Sequence, residues 1–156
     1  MAENPFMLRA AAIAAERMRN NHGGPFGAVI VRDDRIIAEG WNAVTTANDP
    51  TAHAEVMAIR RACERLGTFS LEGCEIYTSC EPCPMCLGAI YWARLERIYY
   101  ANTRADAAAI GFDDDFLYRE IAVAPEARSI PAIRLESAEA RAGFAEWMAK
   151  ADRVLY

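Results

Sequence analysis

The sequence predicts an α/β fold, a three-layer α/β/α sandwich on a five-stranded mixed sheet. Three observations predict it. An alanine-rich amphipathic helix precedes an apolar hairpin, strands and helices alternate after that hairpin, and no repeat or linker-like stretch interrupts the 156 residues. A chain of this length is expected to be one domain, 1–156, burying roughly 70% of the unfolded chain's surface.

The elements follow in order. Residues 5–20 carry Phe6, Ala10, Ile13 and Arg17 at helical spacings, and His22-Gly23-Gly24-Pro25 ends that helix. Two apolar runs, 26–32 and 35–43, flank Asp33-Asp34 and read as a hairpin with a two-residue turn. Asn48-Asp49-Pro50-Thr51 supplies helix-start chemistry for a helix with Val56, Ile59, Cys63 and Leu66 on one stripe, stopping at Gly67. Residues 74–79 form a short strand. Pro84 opens a helix to about Arg94 with Leu87, Ile90 and Tyr91 inward, and 97–101 is a fourth strand. A helical region over 105–121, broken at Gly111, a fifth strand at 130–135 and an amphipathic helix at 137–150 complete the chain.

With 17 Lys and Arg against 22 Asp and Glu, the net charge is −5, which argues against a large nucleic-acid footprint. Residues 25% charged and 53% hydrophobic exclude a disordered or low-complexity protein. The run from Ala10 to Ala15 is bracketed by Arg9 and Glu16, so it is neither a signal core nor a membrane span. The expected location is the cytoplasm.

Five cysteines is an odd number, and Cys80, Cys83 and Cys86 fall within one short stretch, which points to metal binding or redox chemistry rather than a disulfide framework. Two separated pieces carry the chemistry: His53-Ala54-Glu55 and Pro82-Cys83-Pro84-Met85-Cys86. Zinc takes imidazole nitrogen and thiolate sulfur in tetrahedral geometry, so His53, Cys83 and Cys86 make three ligands and leave one position open. His53 and Glu55, two apart, converge only on something off a helix N-terminus. Pro84 suits the first helical position, which makes Cys83 the cap and sets Cys86 one turn in, near the positive end of the helix dipole that lowers thiol pKa values. Glu55 then serves as a proton shuttle beside a metal-activated water, the equipment for displacing an amino group from an amidine-like carbon. This combination matches a known signature of zinc nucleobase deaminases.

Other readings stay open on the residues alone. Cys80-Glu81-Pro82-Cys83 is an overlapping Cys-x-x-Cys and serves as a redox pair or an alternative ligand pair, although the proline after Cys83 favours the later pair. Cys80, Cys74 or His22 would be the fourth ligand of a structural zinc site. Cys63 reads as a small core residue.

On these motifs, together with Gly24-Pro25-Phe26-Gly27-Ala28, the stretch from Asn48 to Glu55, that from Thr78 to Arg94, Gly111-Phe112-Asp113-Asp114 and the terminal Tyr156, the chain resembles the cytidine-deaminase-like superfamily and, within it, the bacterial guanine deaminases. The resemblance implies one zinc ion per subunit and hydrolysis of guanine to xanthine and ammonia, a step of purine catabolism. Zinc-bound hydroxide would be the nucleophile and Glu55 would move the proton to a ring nitrogen and then to the leaving amine. It further implies that Phe26 and His53 stack on the base, that Asn42 and Ala54 contact it, and that Trp92 covers it. It also implies a homodimer exchanging the segment from about residue 101 to 156, with Tyr156 closing the partner's pocket.

The guanine choice has a physical basis. The base presents a ring N–H beside its exocyclic amine, and an acceptor-only carboxylate such as Asp114 suits two donors. Each assignment competes with a plainer one: Asp114 in a solvated acidic turn, Trp92 and Phe26 in the core, Asn42 as a strand-end turn residue, Tyr156 as a frayed end. The rival functions are deamination of another amino-base (tRNA adenosine, cytosine, cytidine or an aminotriazine) and a non-enzymatic zinc module. The chain's end mixes Glu136, Glu139 and Glu146 with Arg141, Lys150 and Arg153, which gives no basic stripe for tRNA.

Overall fold

Asp33 and Asp34 both adopt left-handed backbone, with φ of 49° and 55°. Two consecutive positive φ values make the tight turn whose twist matches antiparallel strands, and aspartate tolerates that region better than most residues. A computed structural model describing residues 3–156 shows this turn joining β1 (Gly27–Arg32) to β2 (Arg35–Trp41). The chain divides into two compact units, one running to Tyr118 and one spanning Arg119–Tyr156.

The first unit is built on a four-stranded sheet of order β2-β1-β3-β4. β1 pairs antiparallel with β2 and with β3 (Glu75–Cys80), whereas β3 pairs parallel with β4 (Arg97–Asn102). The parallel step is bridged by α4 (Pro84–Trp92), the crossover that parallel neighbours require. Helix α1 (Pro5–Arg19), capped by Asn4 Oδ1 accepting from Phe6 and Met7 N–H, packs Ile13 against Val29, Val31 and Tyr77. On the other face α3 (Ala54–Leu66) sets Ala54, Ala58 and Ala62 against Ala28, Ile30 and Ile76. The alternation along β1 therefore feeds two cores, giving the three layers expected.

Two glycines set the close approach of the helices. A Cβ on Gly27 would lie 2.3 Å from the Ala10 carbonyl oxygen of α1, and one on Gly40 would lie 2.1 Å from that of Ala54 in α3. The second contact seats the first turn of α3 against β2. Arg17 and Arg61 hold Trp41 at the end of β2, their guanidinium carbons 3.6 and 3.8 Å from its ring centroid. Two cations that near one centroid without colliding must take opposite faces.

Several expectations are corrected. Among the described residues the sheet has four strands, not five: 130–135 forms no strand, and Ile130, Ile133 and Leu135 are exposed. Pro131 lacks the N–H that a ladder would need there. Helix α3 begins at Ala54 rather than near Asn48, because Asp49 spends its carboxylate on the Thr51 N–H and hydroxyl in a turn. A short helix, α2 (Val44–Ala47), precedes that turn. The buried stripe of α3 is alanine, and Val56, Ile59, Cys63 and Leu66 are half-buried at its margin, as close packing over Gly40 demands. In α4, Ile90 is buried and Leu87 half-buried, but Tyr91 faces outward.

After β4 come α5 (Arg104–Ala109), boxed by Thr103 and Asp106, and α6 (Asp114–Ala122). Gly111, at φ +97°, supplies the break expected between them. In the second unit Glu120 accepts from the Ser129 N–H and hydroxyl, and Ser137 caps α7 (Ala138–Ala149), which buries no residue.

Candidate metal centre and active-site cavity

His53 and Cys83 occupy the same structural position on two helices. Each is the N-cap residue, of α3 and α4 respectively, with extended backbone and no side-chain capping hydrogen bond. Pro84 stands at the start of α4, where its missing N–H costs nothing. Freed from capping, both side chains turn toward one another.

His53 Nδ1 lies 3.6 Å from Cys83 Sγ and 3.5 Å from Cys86 Sγ. Among the described residues these three form the one cluster of histidine, cysteine and carboxylate ligands suited to an ion, all ligand atoms within 4.8 Å of one another. A tetrahedral zinc with ordinary Zn–N and Zn–S bonds spans N···S edges of about 3.6 Å, so the donor set fits that ion without rearrangement. Cys80, Cys74 and His22 do not join the cluster, so a four-ligand structural site finds no fourth partner among them.

The electrostatics separate the cysteines. The Cys83 thiol is drawn down to about 4 by a hydrogen bond from Cys86, with His53 adding to the effect against the cost of burial. Cys86 is pushed up by the same hydrogen bond, by burial and by the Glu55 charge. Cys80 is pushed up to about 11, mainly by burial and then by Glu55. Its Sγ faces the Thr103 carbonyl at 3.7 Å, which suits a thiol rather than a ligand. His53 is raised, chiefly through its hydrogen bond with Cys83.

Glu55, buried, has its pKa raised chiefly by desolvation. Its Oε2 sits 3.4 Å from Cys86 Sγ, and Thr78 Oγ1 lies 3.5 Å from Oε1. A carboxylate with a raised pKa, next to the metal ligands and outside the ligand set, can both take and return a proton.

These groups open into a cavity of about 270 Å³, lined among others by Phe26, Asn42, His53, Glu55, Cys83 and Asp114. Asn42 Oδ1 accepts from the Gly24 N–H at 3.3 Å and the Val44 N–H at 3.2 Å, so the amide nitrogen remains to donate. Asn42 is thus a strand-end turn residue and a cavity residue at once. Asp114 opens α6 and has its pKa raised, first by burial and then by the nearby Cys83 charge. Phe26 packs edge-to-face on Phe112, with centroids 4.8 Å apart and planes at 88°.

Ala54 is fully buried between His53 and Glu55. Trp92 ends α4, is 67% exposed and does not line the cavity. Tyr156 belongs to the second unit and is exposed. Sequence reasoning assigned no role to Val44, Thr45, Pro50, Glu81 or Phe112, which also line the cavity. The offset of two between Phe112 and Asp114 was the one local signal; the others carry no chemistry that a sequence pattern exposes.

Residues 1–102 match the family described as the cytidine and deoxycytidylate deaminase zinc-binding region. The chain is 53% identical over its full 156 residues to a guanine deaminase of Bacillus subtilis (strain 168), covering 100% of each chain. It is 44% identical over 110 residues to a tRNA-specific adenosine deaminase of Agrobacterium fabrum, covering 70% of this chain and 72% of that one. The X-ray structure of the Bacillus subtilis guanine deaminase superposes with a TM-score of 0.96 at 53% identity, covering 100% of this chain and 99% of that one.

Proposed function

We propose, from the premise that this chain belongs to the cytidine and deoxycytidylate deaminase zinc-binding family, that it is a zinc-dependent deaminase hydrolysing guanine to xanthine and ammonia. One observation carries the choice of base. Asp114 enters the cavity that holds His53, Glu55 and Cys83, where an acceptor-only carboxylate meets the adjacent ring N–H and amine of guanine. Cytosine and adenine would turn an acceptor nitrogen toward that carboxylate, which repels it. The family match ends at residue 102, before Phe112 and Asp114, whereas the match to the guanine deaminase runs the whole length.

Zinc, held by His53, Cys83 and Cys86, would supply an acidified water, its pKa brought down to about 7. Glu55 moves two protons. Glu55 would carry the first from the attacking water to a ring nitrogen as oxygen bonds to the carbon bearing the amine. The second goes from the new hydroxyl to the amine, so that the C–N bond breaks, a carbonyl forms and ammonia leaves. Phe26 and the His53 ring hold the flat base between them, with Phe112 bracing Phe26. Asn42 donates from Nδ2 to the base's carbonyl or ring acceptor, its Oδ1 already engaged by backbone.

The working form in this reading is a homodimer that exchanges the segment from about residue 101 onward. Apolar surface supports it: Tyr91 and Trp92 are 76% and 67% exposed, and Ile130, Ile133 and Leu135 are more exposed still. Among the described residues β4 has a pairing partner on one edge only. Tyr156 and the rest of the exchanged segment, Asp114 included, would then serve the neighbouring subunit's cavity, while Trp92, on α4 ahead of that segment, would cover the base. A thiolate pair that must stay reduced to hold zinc supports a cytoplasmic setting for this step of purine breakdown. Among the described residues no helix is long and apolar enough to cross a membrane.

The test is ammonia release by the zinc-loaded chain from guanine, cytosine, adenosine, an aminotriazine and tRNA in parallel. Guanine is expected to be turned over fastest. Faster release from any of the others, or none from guanine, sinks this reading.

A further inference from the structure

The segment 103–118 carries Asp114, yet Asp114 itself makes no bond that fixes its distance from the metal-ligand turn. Two other residues of that segment reach the turn directly. Tyr118 donates its hydroxyl to the Pro82 carbonyl oxygen at 3.0 Å, the carbonyl of the peptide whose N–H belongs to Cys83. Arg104 donates its backbone N–H to Glu81 Oε2 at 3.0 Å, and its Nε lies 3.8 Å from Glu81 Oε1. The Arg104 guanidinium stands over the Tyr118 ring, 4.5 Å from its centroid, so the two ties brace each other.

Tyr118 lies four residues beyond Asp114 on α6, and residues so spaced share a helix face. The Tyr118 hydroxyl therefore anchors the same face from which Asp114 enters the cavity, and it does so on the loop that delivers Cys83. Two hydrogen-bonded points, one at each end of the segment, hold it against residues 81 and 82. The phenol is half-buried, so its hydroxyl gives the Pro82 carbonyl a fixed donor in place of water.

We propose that Tyr118 is a positioning residue for base recognition: its bond to Pro82 sets the separation between Asp114 and the metal-ligand turn, and so the fit of the guanine donor edge. The proposal rests on the reading of this cavity as a guanine site. It assigns Tyr118 no contact with substrate. Since Asp114 grips the base before and during reaction alike, loosening it weakens binding without slowing the proton transfers by Glu55.

The experiment compares the zinc-loaded wild-type chain with Tyr118→Phe, which keeps the ring beneath Arg104 and removes only the hydroxyl, and with Tyr118→Leu, which removes both. Three quantities are read: zinc content, hydrogen exchange of peptides spanning α6, and steady-state kinetics on guanine. In Tyr118→Phe, zinc stays stoichiometric and α6 exchanges faster than in wild type. KM rises about tenfold, the equivalent of one lost hydrogen bond, while kcat stays within about twofold. Tyr118→Leu shows a larger rise in KM, which the phenylalanine variant partly restores. Unchanged α6 exchange overturns the proposal. So does faster exchange with unchanged KM, a fall in kcat equal to the change in kcat/KM, or loss of zinc from Tyr118→Phe. A wild-type chain inactive on guanine would defeat the functional reading, while the exchange comparison would still report on the Tyr118 clamp.

Discussion

Cys86 Sγ stands 3.4 Å from Glu55 Oε2, so the fully buried sulfur of the His53, Cys83 and Cys86 cluster backs the carboxylate that lines the cavity. The contact leaves Glu55 beside that cluster and outside the set of residues that would hold the ion. Glu55→Gln keeps the shape and a hydrogen-bonding end but holds no transferable proton. Zinc content is expected to be unchanged and kcat to fall by about 10²–10⁴-fold. Metal analysis alongside ammonia release checks it, and undiminished turnover would remove Glu55 from the mechanism.

Asp114→Asn exchanges an acceptor for a group that can turn donors toward the donors of guanine. A charge-assisted pair is lost, so kcat/KM for guanine is expected to drop about a hundredfold with zinc retained. Parallel assays on guanine and cytosine read the change, and an unaltered preference would return Asp114 to the solvated acidic turn.

Gly40→Ala places a methyl group 2.1 Å from the Ala54 carbonyl oxygen and 2.5 Å from the Ala58 nitrogen. Both are backbone atoms, so α3 must move away from β2. The expected loss of stability is about 3 kcal/mol. Zinc affinity falls with it, because Ala54 lies between His53 and Glu55. Thermal unfolding and a competitive zinc titration measure the two effects, and a variant with wild-type values in both would mean that α3 does not need this seat.

Arg9 grips Glu39 through two bonds, Nε to Oε1 at 2.7 Å and Nη2 to Oε2 at 2.9 Å, tying α1 to β2. The hydrogen bond from Arg9 is the main cause holding the Glu39 pKa below its ordinary value. A lowered folded-state pKa means that the unfolded chain binds the proton more readily. The stabilisation is therefore complete above the ordinary carboxylate range, about pH 5 upward, and fades as pH falls through the lowered folded value. For this partly exposed pair it amounts to roughly 0.5–1 kcal/mol. Wild type and Glu39→Gln should differ in Tm at pH 7 and converge toward about pH 3; a difference that persists in acid would contradict the linkage.

Removal of Tyr156 tests the proposed segment exchange from its far end. Turnover is expected to fall with zinc content unchanged, and mixing the truncated chain with an inactive Glu55→Gln chain should restore part of it through subunits that lend each other an intact terminus. Kinetics indifferent to the deletion would retire the closing role of Tyr156.

Chemistry carried by residue type and short spacing was legible in the chain itself. His53, Glu55, Cys83, Pro84 and Cys86 announce a three-ligand zinc site because ligand chemistry and helix-start geometry are both local. The α1 helix, the Asp33-Asp34 turn and the break at Gly111 are local for the same reason, since periodicity and backbone preference act within a few residues. Contacts between distant residues were decided only by the fold. At 130–135 the one local hint against a strand is Pro131, with one donor fewer to offer; the outcome itself was decided by pairing, which needs a neighbour from elsewhere. The late start of α3, the alanine face that Gly40 admits, and the meeting of Phe112, Asp114 and Tyr118 with residues far earlier in the chain likewise depend on which surfaces come together when apolar area is buried. Local preference wrote the ligands; burial chose what surrounds them.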